Sequence, residues 1–133
     1  MLLSHIIDPL GLAGFTKDGK GNDIPLDAYR ISDKTMFEPD PSIKTKYKRK
    51  LGTTSDQKDL VAGQPCVVCG TTNNIQVPDH KDALVVEYYR TGNNDTVLQN
   101  STSAVQAHCS KCSSIQGGKA SSFSKEMRKK LGI

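Results

Sequence analysis

The sequence has no tryptophan, and phenylalanine and tyrosine together make up only 5% of its 133 residues. Large aromatic side chains supply much of the buried area of a small core. A chain this short therefore needs some further source of stability. It also lacks any apolar run near the roughly 18 residues that a membrane span requires. The opening MLLSHIIDPLGLAG is apolar, but no basic stretch precedes it and Asp8 and Pro9 interrupt it, so it reads as part of the fold and not as a secretion signal. Neither sign of charge dominates: the formal net charge of +4 excludes a histone-like polycation while leaving room for a polyanionic partner. Cysteine is limited to four residues, arranged as two CxxC pairs. With an intracellular, reducing compartment as the expected setting, that pattern indicates metal or redox chemistry and not disulfides.

What is present sorts along the chain. DPLGLAGFTKDGKGNDIP, residues 8–25, is rich in Gly and Asp and reads as loops around short strands. KTKYKRK, residues 44–50, carries five cations in seven positions. It is either a solvated surface segment or an arm that contacts phosphates through Lys44, Lys46, Lys48, Arg49 and Lys50, with Tyr47 interleaved. LGTTSDQKDLVAGQ, residues 51–64, reads as a connector. A boundary near residue 60 divides an N-terminal extension, 1–60, from a second unit, 61–133. No internal repeat is visible beyond the CxxC pairs.

In the second unit Ile75 and Val77 alternate with polar neighbours, which predicts a short strand leading into Pro78-Asp79-His80. ALVVEYY, residues 83–89, is β-branched and aromatic, so it reads as a second strand or a packed segment. RTGNNDT, residues 90–96, is a loop by composition. STSAVQAHCSKC, residues 101–112, opens on hydroxyl residues suited to capping. Phe123, Met127 and Leu131 recur at i, i+4, i+8, one apolar face of a short helix with Lys125, Arg128, Lys129 and Lys130 around it. The apolar stripe is core packing; the cations are either a solvated face or further phosphate contacts.

Cys66-x-x-Cys69 and Cys109-x-x-Cys112 offer four thiolates as two claws. Zinc favours tetrahedral sulfur ligation, and a CxxC turn lets two sulfurs reach one ion. Closing a long loop through such an ion contributes directly to folding, which suits a chain poor in aromatic core. A thioredoxin-like redox pair normally occupies a βαβ context and needs no second copy. An iron–sulfur cluster is a further alternative, without a cluster-type spacing to support it. His108 can substitute for a cysteine ligand, although four thiolates make that unnecessary. A closed four-thiolate site is structural, so any chemistry lies elsewhere.

The order of parts, PCVVC, then VPDH, then HCSKCSSIQGGK leading into a helix, resembles the HNH or ββα-metal nuclease superfamily in its zinc-stapled form. The resemblance covers about Gly63 to the C-terminus. It implies an α+β fold with a ββα-metal, treble-clef-like core, a structural zinc site and an N-terminal extension. It also implies a metal-dependent DNA endonuclease in which Asp79 binds a catalytic Mg²⁺ or Mn²⁺ ion and His80 is the general base. The family's further ligand, often an Asn directly after the last cysteine, falls here on Ser113; one turn later stands Gln116, whose amide oxygen can also coordinate a hard cation. Ala104 occupies the position of the family's middle Asn, with Asn100 as a displaced substitute. Gly117, Gly118 and Lys119 imply a close-approach backbone and a charge beside the site. The implied partner is double-stranded DNA and the implied form a homodimeric, restriction-type enzyme with no membrane association. The departures at Ser113 and Ala104 point to the alternative, a degenerate copy that binds nucleic acid without cutting it.

Overall fold

Thr54 accepts a hydrogen bond from the Gln57 amide at 3.1 Å, and the Gln57 side chain accepts one from the Thr54 amide at 2.9 Å. This reciprocal capping box starts α1, Ser55–Ala62. The stretch read as a connector therefore contains a helix, and position 60 falls inside it. The Thr-x-x-Gln signature was legible, but eight residues with Val61 and Gln57 as the buried positions make a weak apolar stripe.

The fold is taken from a computed structural model, which describes residues 15–17, 23–25, 31, 37–72 and 75–133. The apolar opening stretch lies outside them. Within the Gly- and Asp-rich region, β1, Phe15–Lys17, pairs antiparallel with β2, Asp23–Pro25. A second antiparallel pair joins β3, Val77–His80, to β4, Val105–His108, in the register Val77↔His108 and Asp79↔Gln106. Ile75 lies outside the strand and is exposed. The segment between these strands is helical: α2, Leu84–Thr91, then α3, Thr96–Gln99, then a 3-10 turn at Thr102–Ala104. The chain closes on α4, Ser110–Leu131. The architecture is α+β.

The β-branched run 83–89 thus forms a helix, against its strand propensity. Tertiary packing decides: Val85, Val86 and Tyr89 on α2 meet Phe123 and Met127 on α4, with Ile31 and Ile43 in the same cluster. Gly92, at φ 88°, caps the helix in the left-handed conformation. The helix predicted around Phe123, Met127 and Leu131 is real but much longer, starting at the second cysteine pair. Five of the seven aromatic residues are spent in one connected network. Phe37 packs on Phe123, Phe123 on Tyr89, Tyr89 on Tyr88 and Tyr88 on Tyr47, with ring centroids 5.1–6.3 Å apart. A smaller cluster, Val61 with Val105 and Ala107, seats α1 on the β3–β4 pair. The remainder of the core is the four-cysteine group itself, with Val68.

Candidate functional site

The first cysteine pair sits in a tight turn. The Gly70 amide donates to the Cys66 carbonyl at 2.9 Å and the Cys66 amide to the Thr71 carbonyl at 3.0 Å. Gly70 holds φ 75°, a conformation that favours glycine, and this folds the chain back directly after Cys69. The Val67 amide reaches the Ala107 carbonyl at 2.9 Å, which ties the turn to the end of β4. Cys109 then caps α4, its Sγ accepting from the Cys112 amide at 3.4 Å. The two pairs converge: all four Sγ atoms lie within 4.8 Å of one another, and Cys69 Sγ is 3.6 Å from Cys109 Sγ. Tetrahedral Zn–S bonds of about 2.3 Å place sulfurs roughly 3.8 Å apart, so this donor set fits a zinc ion.

The surroundings favour the thiolate at Cys66 and oppose it at Cys69. Burial pushes the Cys66 thiol up, but hydrogen bonds from the backbone of Cys69, Cys109 and Val68 and from the Cys112 side chain outweigh it and bring it down to about 6. Burial and the neighbouring Cys109 and Cys66 sulfurs raise Cys69. The N-terminus of α4 adds its partial positive charge. Cys66, Cys109 and Cys112 are buried, whereas a redox role requires an exposed, reactive thiol.

About one strand away is a cleft of about 250 Å³. Pro78, Asp79 and His80 line it from β3, and Ser113, Gln116, Gly117 and Ala120 from one face of α4; the first residues of α2 and Tyr47 and Arg49 complete it. Four residues singled out in the sequence, Asp79, His80, Ser113 and Gln116, therefore share one lining. The helix spacing i, i+3 does this for Ser113 and Gln116. Gln116 is 7% exposed and its Oε1 has no hydrogen-bond partner among the described residues. An oxygen left so at a cleft wall costs free energy unless a ligand, water or ion engages it.

His80 is buried, and its Nε2 lies 2.8 Å from the Gln99 carbonyl. A carbonyl only accepts, so Nε2 carries the proton and the neutral ring keeps its lone pair on Nδ1. The Gln99 carbonyl also accepts from Gln57 Nε2 at 2.7 Å, while Gln99 Nε2 donates to the Asp82 carbonyl and to Glu87 Oε1. Glu87, buried on α2, further accepts from the Asn94 side chain and the Asp95 amide. This polar network, spanning α1, α2 and α3, orients His80. Gln57 carried only the local capping signature of α1, and Gln99 carried no signal in the sequence.

The other sequence candidates divide. Arg49 joins the cleft, its Nε donating to the Leu51 carbonyl at 3.1 Å. Lys46, Lys48 and Lys50 line a different depression, and Lys44 is exposed outside both. Lys119 is half-buried on α4 and is not part of the cleft lining. Asn100 is the exposed C-cap of α3 and Ala104 is buried before β4, so neither borders the cleft. Gly118 and Gly117 are exposed within α4, and a Cβ at either meets no atom within 4 Å. No backbone approach inside the protein requires them. His108 is not a zinc ligand in this arrangement: its ring turns from the sulfurs to Asp79, at 2.7 Å.

Among the described residues no helix is long and apolar enough to cross a membrane. No protein-family model, curated protein or solved structure matches this chain.

Proposed function

We propose that the chain is a metal-dependent endonuclease of the ββα-metal type, hydrolysing phosphodiester bonds of duplex DNA. His80 is its general base, and Asp79 with Gln116 holds a Mg²⁺ or Mn²⁺ ion. The observation that supports this reading is the common lining of one cleft by Asp79 and His80 from β3 and by Ser113 and Gln116 from α4. The donors suit a hard cation: one carboxylate, a buried amide oxygen without a hydrogen-bond partner among the described residues, and a hydroxyl. Such ions keep several waters and take few protein ligands. When bound, the ion neutralises charge on the non-bridging oxygens and on the leaving oxygen.

The chain's own residues supply the remaining tasks. His80, oriented by the Gln99 carbonyl, takes the proton of an attacking water at Nδ1. Arg49 offers a planar guanidinium to the phosphate. Asp79 has one oxygen, Oδ2, engaged by His108, which leaves Oδ1 for the ion. The structural zinc at Cys66, Cys69, Cys109 and Cys112 keeps the start of α4, and so Ser113 and Gln116, in register with β3. One such site cuts one strand, so we propose a homodimer of the restriction type.

The test is cleavage of plasmid and phage DNA by zinc-loaded protein with Mg²⁺ or Mn²⁺, beside His80→Ala and Asp79→Ala. Discrete fragments from the wild type alone are expected. A smear retains the nuclease and removes the restriction reading. DNA binding without cutting makes the chain a zinc-stabilised nucleic-acid-binding module, a reading favoured by the engagement of Asp79 Oδ2 with His108.

A further inference from the structure

Seven residues with five cations at positions 44–50 do not present a single face. Tyr47 and Arg49 line the cleft, whereas Thr45, Lys46, Lys48 and Lys50 line a second depression of about 420 Å³ with Tyr88, Gly92, Asn93 and Asn94. The two linings share no residue. From Lys46 to Lys50 the side chains alternate between the two linings, so the three lysines fall on one side and Tyr47 and Arg49 on the other.

The segment is fixed in place. The Tyr47 amide donates to the Tyr89 hydroxyl at 3.0 Å, and the Tyr88 hydroxyl donates to the Thr45 carbonyl at 2.6 Å. The Tyr47 ring packs on Tyr88 at 5.6 Å. A backbone anchored to α2 at Thr45 and Tyr47, on either side of Lys46, lowers the ordering cost of binding there. The depression's lining contains no carboxylate. Asp40, close to Gly92 at its margin, has Oδ1 engaged by the Ser42 amide and hydroxyl.

From this geometry we infer that Lys46, Lys48 and Lys50, with Asn93 and Asn94, form a second, non-catalytic groove that binds the phosphodiester backbone of a nucleic acid. Cations spaced in a row match a linear polyanion, whereas a single small anion needs convergent donors. Amide groups among the lysines add hydrogen bonds to phosphate oxygens, the mode by which backbone contacts position a nucleic acid. A flat anionic membrane fits a concave polar groove poorly. The inference stands whether or not the cleft cuts, because binding and cleavage are read separately.

The experiment is fluorescence anisotropy of a labelled duplex against zinc-loaded protein, without added Mg²⁺ or Mn²⁺, over a salt series. Lys46→Gln/Lys48→Gln/Lys50→Gln is compared with wild type and with a control carrying Lys58→Gln/Lys81→Gln/Lys111→Gln. All six lysines are exposed, and thermal melts verify that both variants fold. The groove variant is expected to bind more than about tenfold more weakly at low salt, and its slope of log K against log[salt] to fall by about 2.7. With single-stranded DNA or RNA as the preferred ligand the fall is about 2.1. An unchanged slope overturns the groove, as does an equal fall in the control, which reports net charge alone. Wild-type protein that ignores DNA and RNA but binds phosphatidylserine vesicles overturns it as well. Loss of cleavage in His80→Ala with an intact salt slope leaves the groove standing and concerns only the cleft.

Discussion

His108 Nδ1 lies 2.7 Å from Asp79 Oδ2, across the β3–β4 pair and with the imidazole wholly buried. The carboxylate accepts, so Nδ1 donates, and Gln106 Nε2 stands 3.5 Å from the other ring nitrogen. Asp79, Gln106 and His108 leave one face of the pair, directly opposite or on the diagonal. The residue that touches the last cysteine pair in sequence thus holds the carboxylate of the cleft. The four-cysteine cluster and the cleft are one connected structure.

Replacing His108 with leucine removes that donor. Hydrogen bonds to charged groups contribute about 1.5–3 kcal/mol, and a loss in that range is expected in urea unfolding of the zinc-loaded protein. His108→Asn, which keeps a side-chain N–H, recovers part of it. Mn²⁺ affinity, followed by electron paramagnetic resonance, falls in the leucine variant if Asp79 is a ligand. An unfolding midpoint equal to wild type removes the pair from the account of stability.

The cysteine centre makes a sharper forecast. Cys66→Ser or Cys112→Ser loses one of four sulfur ligands, and the second half of the chain is expected to unfold, seen as lost helical circular dichroism together with lost zinc. The same loss follows a strong chelator. Thiols must ionise to bind the ion, and Cys69 is held above its ordinary value by burial. Zinc affinity measured against a chromophoric chelator is therefore lower at pH 6 than at pH 8. A zinc-free serine variant with native circular dichroism overturns this.

Gly117 and Gly118 stand in the middle of α4 with open space where a Cβ would go. Glycine in a helix interior costs about 0.8–1.0 kcal/mol relative to alanine, so Gly118→Ala is expected to stabilise by about that amount in thermal melts. Gly117→Ala gains similarly, but its methyl enters the cleft wall. The two variants should then match in stability and differ in the proposed endonuclease activity, with Gly117→Ala the slower. Equal cleavage rates mean that Gly117 is not there for room.

Gln57 is fully buried and donates to the Gln99 and Ser101 carbonyls at 2.7 and 2.8 Å. Gln57→Ala removes both donors and the side-chain half of the α1 capping box. A destabilisation of about 1–3 kcal/mol is expected from the lost hydrogen bonds, although the Gln99 carbonyl keeps its contact with His80. Because Gln99 also holds His80, the proposed endonuclease activity should fall by more than the folded fraction does. A variant as stable as wild type shows that α1 is an appendage and not part of the fold.

Chemistry set by short-range spacing was legible in the sequence. Each CxxC pair predicts two converging sulfurs, because a turn of that length brings them together whatever surrounds it; the meeting of the two pairs, 40 residues apart at Cys69 and Cys109, is tertiary. Ser113 and Gln116 share a helix face by the same local reasoning, whereas adjacent Asp79 and His80 leave a strand in alternate directions, and their common cleft is set by the surrounding packing. Partners separated by many residues depended on register and packing. The choice of helix for residues 84–91 came from burial against α4, which outweighs β propensity. That His108 turns to Asp79 follows from which residues stand opposite in β3 and β4. That a Gln99 backbone carbonyl orients His80 has no side-chain signature at all. The division of residues 44–50 into Arg49 on the cleft and three lysines elsewhere was equally hidden, since a run of cations has no direction until two tyrosines of α2 anchor its backbone.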